Sequence, residues 1–235
     1  EPCTCEKSVC EVCGEQHCVC PATACPECDS VPCICEKKET IVITLSDGKK
    51  REIHHISSVM YWSPDGAPIT AREFVERMFD DLPQFFDNED NLREIWSDPA
   101  TREKLLNNLT EAGYDSEKLD SMKDLIEAKD SDVYDVLAYI AYAAETHTRS
   151  ERANHAESSI IREFSDDKQR DFISFVLEKY VEDGVQELAE SKMRNLIELK
   201  YNTISDAAAE FGSPAIIRNT FIGFQKYLYE QDSAW

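Results

Sequence analysis

The chain has 235 residues, 42% of them apolar, enough to bury one sizeable core or two small ones. Its 47 acidic and 25 basic side chains leave a net charge of -22, which argues against a basic face that would bind phosphates by releasing counterions. The longest apolar run, Val136 to Ala144, is nine residues with two tyrosines, too short to span a bilayer, so no membrane segment is expected.

All ten cysteines fall between Cys3 and Cys35. A unit C-x-x-C-x4-C-x-C occurs twice, fifteen residues apart: Cys10, Cys13, Cys18 and Cys20, then Cys25, Cys28, Cys33 and Cys35. Four thiolates per unit suit one tetrahedral ion, and a C-x-x-C knuckle lets two sulfurs and nearby amides surround it. Two structural zinc ions are therefore expected, in a zinc-ribbon-like segment. Disulfides are the rival reading, but they usually mark small secreted chains, whereas no apolar signal segment precedes this cluster and 200 cysteine-free residues follow it. A multinuclear thiolate cluster or free thiols form a third reading. The metal reading places the protein in the cytoplasm. His17, beside Cys18, is a spare ligand, but four cysteines per unit already suffice. Cys3 and Cys5 match the tail of a unit without its C-x-x-C, and the chain starts at Glu1 rather than Met, so a piece of a longer protein is expected.

Residues 1–38 hold seven acidic and three basic side chains, a net of -4, which leaves -18 for the rest. That acidity suits solubility, or contact with a basic protein partner. Next, Thr40 to Leu45 is β-branched and apolar, Ser46-Asp47-Gly48-Lys49 is a turn signal and Arg51 to Tyr61 alternates loosely. This pattern predicts a β-hairpin, closed by a second turn at Trp62 to Gly66.

From Thr70 the period becomes helical. Thr70 with Glu73, and Thr148 with Glu151, form capping boxes. Asp98-Pro99 and Ser213-Pro214 each place a cap before a first-turn proline, and Gly113, Gly184 and Gly212 sit where helices stop. The pattern predicts about nine helices, over 70–81, 88–96, 98–112, 116–128, 131–145, 149–164, 166–183, 190–201 and 203–229, the last interrupted near Gly212. Apolar stripes at helical spacing mark core faces: Leu105, Leu106 and Leu109; Val133, Val136, Leu137, Ile140 and Ala141; Phe172, Phe175, Val176 and Tyr180; Phe221, Phe224, Tyr227 and Leu228. The expected fold class is mainly α: the Cys-rich zinc-ribbon-like segment (1–38), the short β-hairpin connector (39–69), then a compact multi-helix domain (70–235).

Catalytic motifs are scarce. With seven glycines, the chain has no G-x-x-x-x-G-K-S/T and no G-x-G-x-x-G. Asp183, Glu198 and Lys200 formally fit the D…E-x-K pattern of metal-dependent nucleases, which needs strands to converge its carboxylates on a metal, yet these residues fall in helical stretches. His147 and His155 read as surface histidines, and His54 and His55 lie near the metal segment. No catalytic residue is assigned.

From Thr40 onward the sequence resembles the C-terminal region of the R (restriction and translocation) subunit of type I restriction-modification enzymes, the EcoEI-like group. The resemblance is carried by Phe74-Val-Glu-Arg-Met-Phe-Asp-Asp-Leu-Pro83, Trp96-Ser-Asp-Pro99, Ser131-Asp-Val-Tyr-Asp-Val-Leu-Ala-Tyr139, Asp167-Lys-Gln-Arg-Asp-Phe172, Leu196-Ile-Glu-Leu-Lys-Tyr201 and Phe221-Ile-Gly-Phe-Gln-Lys-Tyr-Leu-Tyr229, in that order. It implies a parent protein that is a type I site-specific deoxyribonuclease with ATP-dependent translocase activity, whose ATP, magnesium and cleavage motifs lie upstream of these residues. It also implies that this region docks the motor onto the methyltransferase and specificity subunits, meeting DNA through the whole complex. The cysteine segment departs from a minimal version of that region. The competing reading is a free-standing zinc-dependent regulatory or nucleic-acid-binding protein.

Overall fold

The computed structural model of the chain describes residues 39–55, 61–63 and 66–230. The chain divides into two compact units, Glu1–Glu39 with Ile56–Ser58, and Thr40–His55 with Val59–Trp235. Apart from Glu39, every element described below belongs to the second. The metal segment expected over 1–38 lies outside the described residues.

Strands β1 (Glu39–Thr44) and β2 (Lys50–His55) pair in a two-stranded sheet. The turn between them uses Gly48 at φ +76°, and Asp47 Oδ1 accepts from the Lys49 amide at 2.9 Å. Ile43 and Ile53 are fully buried while Val42 is exposed, the alternation of a sheet with one face on a core. The second strand is shorter than the alternation predicts. β2 ends at His55, and Tyr61 belongs to a separate strand, β3 (Tyr61–Trp62), antiparallel to β4 (Pro68–Ile69). The turn signal at Trp62 to Gly66 thus lies within this second, small β pair.

Ten α-helices follow among the described residues: α1 (Ala71–Asp81), α2 (Glu89–Ser97), α3 (Pro99–Glu111), α4 (Ser116–Leu125), α5 (Val133–Tyr142), α6 (Arg149–Glu163), α7 (Asp167–Asp183), α8 (Met193–Tyr201), α9 (Ile204–Phe211) and α10 (Pro214–Gly223). A 3-10 turn, Gln225–Leu228, completes the described chain. None of these helices is long and apolar enough to cross a membrane.

The caps explain the starts. Thr70 and Glu73 close a reciprocal box at α1, and Thr148 and Glu151 do the same at α6. Asp98 Oδ1 accepts from the amides of Ala100 and Thr101 at α3, and Ser213 Oγ from that of Ile216 at α10. Each such bond satisfies an amide that the helix itself leaves free. Gly212, at φ +86°, separates α9 from α10 where one interrupted helix is expected.

Three stops come earlier than the sequence suggests, the last of them at Gly223, where α10 gives way to the 3-10 turn within the helix expected to run to 229. α4 gives way at Ile126 with Glu127 at φ 55°, and α5 at Ala143 with φ 56°. For α5 the cause is a cap from far away in the chain. Arg51 Nε donates to the carbonyls of Tyr139 (2.9 Å) and Ile140 (3.1 Å), and Lys49 Nζ to that of Tyr142 (2.9 Å). Cations at the negative end of a helix satisfy its last carbonyls and complement its dipole. The same contacts pin β2 to the helical core, with Arg51 wholly buried and its Nη2 2.8 Å from Asp47 Oδ2.

The core runs through all the helices. Trp96, Phe172, Phe221 and Phe224 are fully buried, each contributing about 1.5–3 kcal/mol by leaving water. Phe172 packs edge-on to Phe211 at 5.8 Å, tying α7 to α9, and Tyr61 stacks on Phe74 at 4.6 Å, tying β3 to α1. Of the four predicted stripes, only Leu106, Ala141 and Phe175 are half-buried; the rest are buried.

Candidate functional site

The densest polar constellation among the described residues lies inside the helical core. Its centre is the start of α5. The Asp132 amide donates to Asp135 Oδ2 at 3.1 Å, and Asp135 Oδ1 accepts from Arg152 Nη2 at 2.6 Å and from the His147 amide at 2.9 Å. Asp132 Oδ2 accepts two phenol hydroxyls, from Tyr180 on α7 and from Tyr229, both at 2.6 Å. Asp132, Asp135 and Arg152 are each at most 4% exposed.

Arg152 reaches this point because the capping box at Thr148 starts α6 one turn earlier. Its guanidinium lies 4.9 Å from the ring centres of both Tyr134 and Tyr229, which are themselves 5.1 Å apart, so one cation contacts two adjoining rings. Nη1 donates to the Leu228 carbonyl at 3.2 Å. A second buried arginine works alongside. Arg102 of α3 donates to the carbonyls of Trp96 and Leu188, both at 3.0 Å, and to Gln225 Oε1 at 2.9 Å. Gln225 Nε2 donates in turn to Leu188 and Phe221 at 3.0 Å. The two parts meet through Tyr229, whose ring packs 6.5 Å from Trp96 and 5.1 Å from Tyr134.

The electrostatics follow from burial. Loss of water, then the neighbouring Asp132 carboxylate, push the Tyr180 and Tyr229 phenols well above their ordinary 10.0. Burial raises the Asp135 carboxyl and the Arg152 guanidinium opposes it. On Arg152 the balance reverses: burial works against the charge, but Asp135 and the tyrosines together raise it further. With three donors on Asp135, the ion pair is the stable state. Neither phenol can serve as a base near neutral pH, and the Asp135 oxygens and Arg152 Nη groups are already engaged. This arrangement is a clasp joining α3, α5, α6, α7 and the final 3-10 turn, and two of its members, Arg102 and Asp132, also line a groove of about 430 Å³ with Arg149 and Asp183.

The family called EcoEI R protein C-terminal matches residues 72–229. The chain belongs to that family, the C-terminal region of the type I restriction R subunit. No curated protein and no solved structure matches it. The span of the EcoEI R C-terminal match contains every member of the clasp, from Trp96 to Tyr229, whereas Lys49 and Arg51 of the β-hairpin lie before it.

The residues singled out by sequence fall in three groups. Cys10, Cys13, Cys18, Cys20, Cys25, Cys28, Cys33 and Cys35 lie outside the described residues, as do Cys3, Cys5 and His17. Among the described residues no group of three or more His, Cys, Asp or Glu is arranged to hold a metal ion. Asp183 ends α7, while Glu198 on α8 pairs with Arg194 at 2.9 Å and Lys200 with Asp171 at 2.8 Å, so Glu198 and Lys200 are each taken up by an ion pair of their own on a helix. His54 is half-buried, with Nδ1 3.3 Å from Thr40 Oγ1 and Nε2 3.6 Å from Glu127. His147 and His155, expected on the surface, are both half-buried, and the His147 amide serves the clasp.

Sequence reading missed the clasp because an Asp or Arg in a helical pattern ordinarily marks the wet face. One signal was available. In Ser131-Asp-Val-Tyr-Asp-Val-Leu the carboxylates at 132 and 135 stand at i and i+3, at the cap and in the first turn of the most apolar helix among the described residues, where a solvated face is hardest to accommodate.

Proposed function

We propose that this chain is an assembly module: the C-terminal part of a type I restriction R subunit that docks an ATP-driven DNA translocase and endonuclease onto the methyltransferase and specificity subunits. The observation that carries this reading is the family match over residues 72–229. Two physical features support it. The buried charges of the clasp already have partners, Arg152 with Asp135 and Arg102 and Asp132 with neutral groups, and a net charge of -22 leaves little for a phosphate backbone to bind, so contact with DNA belongs to the complex, which acts in the cytoplasm. Chemistry with ATP and magnesium belongs to other parts of the R subunit. The two four-cysteine units form structural zinc sites that precede the helical domain in the sequence, stabilising a segment poor in large apolar side chains.

The test is assembly. The purified chain, mixed at micromolar concentration with a methyltransferase-specificity core of a type I system, is expected to co-elute with it on size exclusion. Separate elution at those concentrations would rule out the docking role and favour a free-standing zinc-dependent regulator.

A further inference from the structure

α6 and α7 form an antiparallel pair: the three-residue link 164–166 joins them at one end, and Arg149 Nε reaches the Val181 carbonyl at 3.2 Å at the other. α7 carries two apolar stripes. Phe172, Val176 and Tyr180 face the core, while Ile173, Leu177 and Val181, at i, i+4 and i+8, form a second stripe, with Ile173 buried and Leu177 and Val181 half-buried. This second stripe lines a groove of about 600 Å³ shared with Ala153, Ile160 and Ile161 of α6. Ile161 is 54% exposed, among the most exposed large apolar side chains described.

The groove has a directional chemistry. On α6 its lining runs from Ser150 to Ile161, about 16 Å at 1.5 Å per residue, or three turns of a facing helix. Its rim is acidic: Glu157, Glu178 and Glu182 against the single cation Arg170. Arg170 is occupied, bonded to Asp167 and to the Phe164 and Ser165 carbonyls, and Glu182 pairs with Lys179. Glu157 and Glu178 carry no ion pair among the described residues, since Lys179, close enough to feel Glu178, is bonded to Glu182.

We propose that the α6/α7 groove receives a basic amphipathic helix of a protein partner. Such a helix sets apolar residues at i, i+3, i+4 and i+7 into the groove and lysines or arginines against Glu157 and Glu178. A second copy of this chain fits poorly, since each copy carries -22, and residues 1–38, at net -4 and with few large apolar side chains, fit no better. The proposal rests on the assembly reading and names the surface through which it would operate.

A labelled synthetic helix, with leucines at those spacings and lysines elsewhere, titrated against the full chain by fluorescence anisotropy, tests it. The lysine peptide is expected to bind about tenfold or more tighter than its glutamate twin. Ile161→Arg should weaken it about tenfold, and Glu157→Lys with Glu178→Lys should weaken it and favour the twin. A control reversal on α3, Glu103→Lys with Glu111→Lys, should shift the affinity by less than about twofold. Equal losses from the two reversals would reduce the effect to diffuse attraction and overturn the groove, as would no binding, or binding unchanged by Ile161→Arg. Thermal unfolding of each variant keeps misfolding apart from lost binding. The outcome is separable from the assembly reading: failure of the wild-type chain to co-elute with the methyltransferase core removes that reading, while the peptide series still decides the groove.

Discussion

Asp132 and Tyr229 stand 97 positions apart, and the phenol hydroxyl of one lies 2.6 Å from the carboxylate of the other, both groups sealed from water. Tyr180 shares the same carboxylate oxygen. The bond closes the end of the described chain onto the start of α5, so the helices between them are held as a ring.

Removing one hydroxyl leaves a buried acceptor short of a donor. Tyr229→Phe is expected to cost about 1–3 kcal/mol, read as a lower urea midpoint with little change in slope. Tyr180→Phe should cost a similar amount. The pair should be non-additive, because both hydroxyls serve Asp132 Oδ2. Additive losses within about 0.3 kcal/mol would mean the two bonds act independently.

Breaking the buried ion pair from the arginine side should be more severe. Arg152→Met strands the Asp135 carboxylate, at 0% side-chain exposure, for about 3–5 kcal/mol. Arg152→Lys should rescue only part of this, since an ammonium cannot reproduce the two-pronged contact to Asp135 and Leu228 together with the cation–π contacts to Tyr134 and Tyr229. Asp135→Asn with Arg152→Met should lose less than the sum of the single changes, by about 1–3 kcal/mol of coupling. Chemical denaturation of the four proteins gives that cycle.

Acid should weaken the helix starts. Hydrogen bonds from Thr70 hold the Glu73 carboxyl below its ordinary 4.5, and those from Thr148 do the same for Glu151. Folded-state values below the unfolded ones mean that the native chain binds fewer protons, so this stabilisation is complete above about pH 4.5 and fades as the pH falls through the lowered values. Acidification also relieves repulsion among the 47 acidic side chains, which acts on every variant alike. The observable is therefore the stability difference between wild type and Glu73→Gln with Glu151→Gln, expected to shrink between pH 6 and pH 3. A difference independent of pH would exclude this role for the two carboxylates.

The cysteine units make a prediction about metal. Elemental analysis of the purified protein is expected to find about two zinc ions per chain, and Cys25→Ser should lose one of them. A chelator should unfold residues 1–38 while leaving helical circular dichroism little changed, because the helices bury their own core. Absence of metal together with disulfides detected by mass would overturn the zinc sites and place the protein in an oxidising compartment.

What the amino-acid sequence determined by itself are the features decided within one or two turns of chain. The boxes at Thr70 with Glu73 and Thr148 with Glu151 join residues three apart, so their bonds can be read from spacing alone. The break at Gly212 needs only the rarity of positive φ in other residues. Apolar stripes such as Phe172, Val176 and Tyr180 repeat with the helix itself, and the family is carried by short segments in a fixed order. The cysteine spacing likewise speaks from sequence alone.

Only the tertiary structure decided which charged residues go inside and what ends α5. Asp132, Asp135, Arg102 and Arg152 look like solvent-facing residues until their partners, 17 to 123 positions away, are brought within 3 Å. A buried charge is tolerable only when such partners arrive together, and no local pattern encodes their arrival. The early stop of α5 has the same origin, since the donors that satisfy its last carbonyls are Lys49 and Arg51, some 90 residues upstream. Spacing fixes what neighbours along the chain can do, whereas long-range packing selects which polar groups meet.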